Sequence, residues 1–237
     1  MKKRVPLFFA FVLLSPLPAH AAASVRIVQL SGEVKIRRAV EEKWEAAATG
    51  MLLEESDTIM TLERGEVLLE LATHATFRLG GNALLEVADL REISERQLFL
   101  WLMSEKVGKL KPRSEKIPLH LGEVSSPRGA NASKDSARVH VRPTWRMEVN
   151  AAQALRAQNF LPNAALLLHR VQTKHSQRED CGEVSFELAQ AFEALRQIGR
   201  ARDEYQTALT QTTEQQCDAA AAKMRRAAIT TALQRLK

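Results

Sequence analysis

Rings are scarce in this chain: aromatic residues fill 5% of its 237 positions, and only one of them is tyrosine. A binding surface rich in stacked rings is therefore not expected. Catalytic signatures are missing as well. There is no Gly-rich phosphate loop, no Gly-x-Ser-x-Gly and no His-Glu-x-x-His. His74, His120, His140, His169 and His175 are scattered. The last two are six apart, which on one helix turns them to different faces and leaves no shared metal. Asp57, next to Glu54 and Glu55, reads as a turn-capping side chain beside surface carboxylates rather than as an acid–base pair. No catalytic residue, metal ligand or cofactor-binding residue is expected, and the chain reads as a non-enzyme.

What is present begins with charge. The chain holds 34 Lys and Arg against 28 Asp and Glu, with a sequence pI near 9.5. The excess is local, because residues 106–146 contain ten Lys or Arg and three Asp or Glu. A solvated basic linker explains it without nucleic acid. Lys2-Lys3-Arg4, the apolar run Val5–Leu17 and Ala19-His20-Ala21 form the three parts of a secretory leader over residues 1–21. The run is far short of the roughly 20 apolar residues that span a bilayer. Cleavage is expected before Ala22, no cysteine follows the site to carry a lipid, and no later segment is apolar enough to span. An exported mature chain without a transmembrane anchor is the expectation.

From Gly32 to Val87 short alternating apolar runs recur about every ten residues between polar, Gly and Asp punctuation, which signals a small all-β domain. Val25 and Ile27, then Val34 and Ile36, alternate around Ser31-Gly32, so a first hairpin is expected there. Trp44 is expected to cap the core. The order Gly32-x-Val34, Trp44, Gly50-x-x-Leu53, Asp57-x-Ile59-x-Thr61, an alternating strand pair, and Asn82 before another strand resembles the FecR domain, a β module of bacterial envelopes. Ser56 and Gly65 stand where that pattern has Gly and Ser. The resemblance runs from residue 25 to about 129, strongest up to Val87. It implies a β sandwich or barrel over 22–124 and a periplasmic home. Leu98, Leu100 and Leu102 fall at period two with Phe99, Trp101 and Met103 opposite, so Arg96–Val107 is expected as a strand with two apolar faces. Leu119–Val124 is the expected closing strand.

Pro112, Pro118, Pro127 and Pro143 break any long element, and residues 125–146 form the expected basic polar linker. Arg138–Arg142 alternates and reads as one more strand. The period then turns helical over 147–237. Phe186, Leu188, Ala189, Phe192, Ala201, Tyr205, Ala208 and Leu209 resemble the packing positions of a tetratricopeptide repeat. A poorer copy lies upstream, with Ala164 standing 37 residues before Ala201. Arg196 replaces the usual Gly, and with Gly199 three residues on, a shifted turn is expected. Ala219–Leu236 is expected as a capping helix with Ala228, Ile229 and Leu233 inward.

Cys181 and Cys217 are the only cysteines, each just ahead of a helix start. In a helical-hairpin array those starts lie at one end on parallel helices, so an oxidising compartment is expected to pair them. Closing that loop implies roughly 3–4 kcal/mol of stabilisation by the chain-entropy account.

The whole reads as an α+β chain of two domains, an all-β FecR-like sandwich or barrel followed by an all-α tetratricopeptide-like array. As a function, the resemblance implies a periplasmic binding or scaffold protein with an envelope protein or peptide as partner. Two alternatives stand beside it. One is a structural factor that lays Trp101 and the basic linker against peptidoglycan, and the other is an accessory component of envelope signalling. Nucleic acid is not an expected partner.

Overall fold

Residues 25–86 fold into eight short strands, because apolar side chains recur at every second position and turn residues interrupt them. The structure, a computed structural model, describes residues 25–39, 41, 43–109, 144–176, 180–214, 217 and 219–236. The leader at 1–21, the expected strands at 119–124 and 138–142, and linker residues 125–143 lie outside the described residues. The strands are β1 (Val25–Ser31), β2 (Val34–Arg37), β3 (Trp44–Ala46), β4 (Leu52–Leu53), β5 (Thr58–Thr61), β6 (Glu66–Glu70), β7 (Thr76–Leu79) and β8 (Ala83–Glu86). They form two antiparallel four-stranded sheets, ordered β4-β1-β6-β7 and β3-β2-β5-β8. Ile27, Ile36, Ile59, Leu69, Phe77, Leu79 and Leu85 are buried and belong to one apolar cluster.

The hairpin expected at Ser31-Gly32 is instead a crossing between sheets. β1 pairs with β4 and β6, while β2 pairs with β3 and β5. Gly32 makes the crossing at φ 63°, a left-handed value that glycine adopts without strain. A Cβ on Gly32 would stand 2.1 Å from the Arg64 carbonyl oxygen, and one on Gly65 would stand 2.3 Å from that of Glu33. The β1–β2 and β5–β6 connections therefore touch backbone to backbone. Leu62 N–H donates to Glu33 O at 3.0 Å, and Asn82 N–H donates to Leu62 O at 3.0 Å, which brings the β7–β8 connection to the same corner. Trp44 does not cap the core. It is half-exposed on an edge strand, with the Arg37 guanidinium 5.2 Å from its ring centre. Asp57 is buried and caps its turn, accepting from Glu54 N–H at 2.9 Å, Ala39 N–H at 3.1 Å and Arg38 Nη1 at 2.7 Å.

After a single 3-10 turn at Val87–Leu90 the chain enters α1 (Glu95–Lys109), where a strand was expected. The run Leu98–Met103 is apolar at all six positions, so it has no true alternation to hold it in a sheet. The start of the helix is set by Ser94 and Gln97. Gln97 N–H donates to Ser94 Oγ at 3.2 Å, and Ser94 N–H donates to Gln97 Oε1 at 2.8 Å, a reciprocal capping box. Leu98 and Leu102 are buried, while Phe99, Leu100 and Trp101 are exposed.

Five helices follow: α2 (Thr144–Ala157), α3 (Leu161–Lys174), α4 (Glu183–Ala194), α5 (Ile198–Glu214) and α6 (Ala219–Arg235). The helical part begins at Thr144, three residues ahead of the expected 147. The α2–α3 and α4–α5 hairpins repeat one turn at an offset of 37 residues. Phe160 N–H donates to Leu155 O and Gln197 N–H to Phe192 O, both at 2.9 Å. One residue earlier, Asn159 N–H reaches Arg156 O and Arg196 N–H reaches Glu193 O. This is the Schellman closure, and its left-handed position is held by Asn159 at φ 67° and Arg196 at φ 57°. The second turn is not shifted: Arg196 occupies the glycine position itself. Ala164 and Ala201 are fully buried at the same offset. On α6, Ala222, Ile229 and Ala232 are buried, as is Leu236 just past its end, and Leu233 is half-buried, whereas Ala228 is exposed and not inward.

Cys181 and Cys217 are joined in a disulfide with Cα atoms 5.8 Å apart. Two ion pairs, Arg225 to Glu183 at 3.6 Å and Arg235 to Glu193, tie α6 to α4. Their members are ten residues apart on each helix in the same direction, so α4 and α6 run parallel.

Arg196 is exposed, and a non-glycine residue in the left-handed region costs on the order of 1–2 kcal/mol. Arg196→Gly is expected to stabilise the protein by roughly 0.5–1 kcal/mol after the added entropy of the unfolded chain is offset. Urea unfolding by circular dichroism measures this; an unchanged or lowered midpoint would contradict the strained turn.

Candidate functional site

The two halves of the chain meet along one line, and side-chain amides make most of its polar contacts. α2 packs against β8 and, more lightly, β7. Asn150 on α2 donates Nδ2 to Asn82 O at 2.7 Å. Just past the end of α2, Gln158 donates Nε2 to Arg78 O and accepts from Arg78 N–H, both at 2.8 Å. Asn163, buried in the first turn of α3, donates to Asp89 O at 2.7 Å and to Arg91 O at 2.8 Å. These contacts satisfy β-strand and turn backbone that no neighbouring strand reaches.

Charge closes the same seam. Arg170 of α3 reaches Asp89 Oδ2 at 2.7 Å and Glu86 Oε2 at 3.4 Å. Asp89 is buried, and that burial pushes its carboxyl above the ordinary value, with the Arg170 guanidinium pulling part of the way back. Phe77 and Phe160 meet edge to face across the seam at 5.6 Å between ring centres.

Beside the seam opens a cleft of about 520 Å³. Its apolar floor is Val25, Leu71, Val87, Leu90, Phe160 and Pro162, and its rim carries Glu55, Arg91, Glu92 and Asn159. Its size, apolar lining and position at a junction make it the candidate binding site among the described residues. Among the described residues no group of three or more His, Cys, Asp or Glu is placed to hold a metal. His175 Nε2 lies 3.0 Å from Glu148 Oε2, and the His169 ring meets Trp101 edge-on at 5.3 Å, so the two histidines serve separate contacts.

Three ion pairs join α2, α4 and α6. Arg156 pairs with Glu187 at 2.8 Å, Arg225 with Glu183, and Arg235 with Glu193. Tyr205 of α5 donates its hydroxyl to Glu193 at 2.8 Å, and burial with that carboxylate pushes the phenol far above its ordinary range. A charged segment binding there would have to displace ion pairs already made.

Asn150, Gln158 and Asn163 were not singled out by sequence reasoning. The signal was there in part: asparagine is a poor helix former, and Asn150 and Asn163 interrupt otherwise apolar helical stretches. No described helix is long and apolar enough to cross a membrane. Comparison with protein-family models, curated proteins and solved structures finds no match for the chain.

A raised carboxyl means that the folded chain holds the Asp89 proton more tightly than the unfolded chain does. Its favourable contribution is thus full below about pH 4 and is lost as pH rises through the raised value. Asp89→Asn removes that titration. Relative to the parent, its stability by urea unfolding is expected to improve as pH rises above about 4 and to level off once the raised value of Asp89 is passed. A pH-independent difference would contradict the assignment.

Proposed function

We propose that this chain is an exported, non-catalytic binding protein of a bacterial cell envelope, in which a FecR-like β module and tetratricopeptide-like hairpins work as one recognition body. The observation that carries the reading is the junction cleft, an open apolar space bordered by side chains of both halves. Its shape depends on α2 and α3 remaining on the sheets. Export is supported by the leader pattern over residues 1–21 and by the Cys181–Cys217 disulfide, a bond that oxidising compartments preserve. The strand order around Gly32, Asp57 and Asn82 supports the β resemblance, and the 37-residue recurrence of the Schellman turn supports the helical one.

Protein is favoured over glycan as the partner. Trp44 lies beneath Arg37, and Trp101 abuts His169, so each ring already has a close neighbour within the chain. An accessory part in envelope signalling would use the same protein contact.

A photo-crosslinking residue in place of Ala72, on the exposed lip of the cleft, tests the reading in intact cells. The expected result is a discrete crosslink to an envelope protein, with purified chain remaining in the supernatant when mixed with peptidoglycan at physiological salt. Sedimentation with peptidoglycan and no protein crosslink would replace this reading with the glycan one.

A further inference from the structure

We propose that the cleft receives an extended peptide segment of the partner, which pairs with the outer edge of β7 at Thr76 and sets an apolar side chain on the cleft floor. The proposal rests on the binding-protein reading above and names its mode. β7 is the last strand of its sheet. In an antiparallel pair the backbone groups of alternate residues face the neighbouring strand and the open side in turn. Arg78 faces the open side, because Gln158 takes both its N–H and its C=O. The register Leu68↔Arg78 and Glu70↔Thr76 puts Thr76 on that side as well, two residues along. Thr76 is exposed, and in this register its N–H and C=O point away from β6.

The cleft begins where this open edge does, since Thr73 and Ala75 line it on one side and Asn159, next to Gln158, on the other. Gln158 demonstrates which chemistry fits the edge: one amide, presenting a donor and an acceptor together. A peptide unit carries that pair of groups and, beside it, a side chain able to fill the apolar floor. A lipid tail or a sugar supplies only one of the two. Gln158 also ends the pairing, so β7 gives an incoming strand only the two bonds at Thr76, and side-chain burial supplies the rest. The rim sets Glu55 and Glu92 against Arg91, which favours segments flanked by Lys or Arg over acidic ones.

The test begins with random blocked heptapeptides displayed to the full mature protein, those retained being titrated as free peptides by fluorescence anisotropy. Thr76→Pro deletes the outward N–H at an edge position that tolerates proline. It is expected to weaken binding about five- to tenfold. Gln158→Ala frees Arg78 and lengthens the open edge, and with urea unfolding run in parallel to show the seam intact it is expected to tighten binding by a similar factor. Methylating the backbone nitrogen of the peptide's apolar residue is expected to weaken binding to the parent protein. If retained peptides bind the parent and both variants equally and tolerate methylation, edge pairing is overturned while a binding protein remains. If no peptide is retained, edge pairing and the protein-partner reading fall together.

Discussion

The junction cleft depends on how the helical hairpin α2–α3 is held against the sheets. Sheets built from strands of two to seven residues leave backbone groups unpaired at their edges and turns. Here the groups at Arg78, Asn82, Asp89 and Arg91 are met by amide side chains from α2, α3 and the turn between them. A buried carbonyl left without a donor costs about 1–3 kcal/mol, which applies at Asp89, where the bond from Asn163 is buried; the bonds at Arg78, Asn82 and Arg91 lie nearer solvent and fix direction more than energy. The buried side chains of the strands and of α2–α6 form one continuous cluster, consistent with a shared core.

That constraint explains why the cleft lies where it does. The turn between α2 and α3 carries Gln158, Asn159 and Phe160 in sequence. The first binds the sheet edge, the second takes the left-handed turn position, and the third packs on Phe77. Three consecutive residues thereby join a strand edge, a helix turn and a core, and the space left beside them is the cleft. The repeat at Arg196 reproduces the turn without a sheet to bind, and the second hairpin turns its polar groups to α6 instead.

Much of this was legible in the sequence. Val67 and Leu69, or Phe77 and Leu79, alternate as half-buried strands must, and the 37-residue spacing of Ala164 and Ala201 located the two hairpins. The misreadings have physical causes. The run Leu98–Met103 is apolar on every face, so period could not choose between strand and helix, whereas Ser94 and Gln97 did carry the capping signal. Ser31-Gly32 reads locally as a hairpin turn; the contact of Gly32 with Gly65 lies 33 residues away, and nothing local reveals that kind of approach. Trp44 reads as the cap of a small β core, but its strand lies at an edge. The cleft was not legible, because it is assembled from five separate stretches of chain.

The central claim is that the two halves form one body through the seam and not through the covalent linker. Cutting a protease site introduced between residues 125 and 143, then running the nicked protein through size exclusion in native buffer, tests this most directly. The account predicts a single peak containing both fragments, with separation only when Asn163 and Arg170 are both replaced by alanine. Two separate peaks from the otherwise unaltered protein would contradict it.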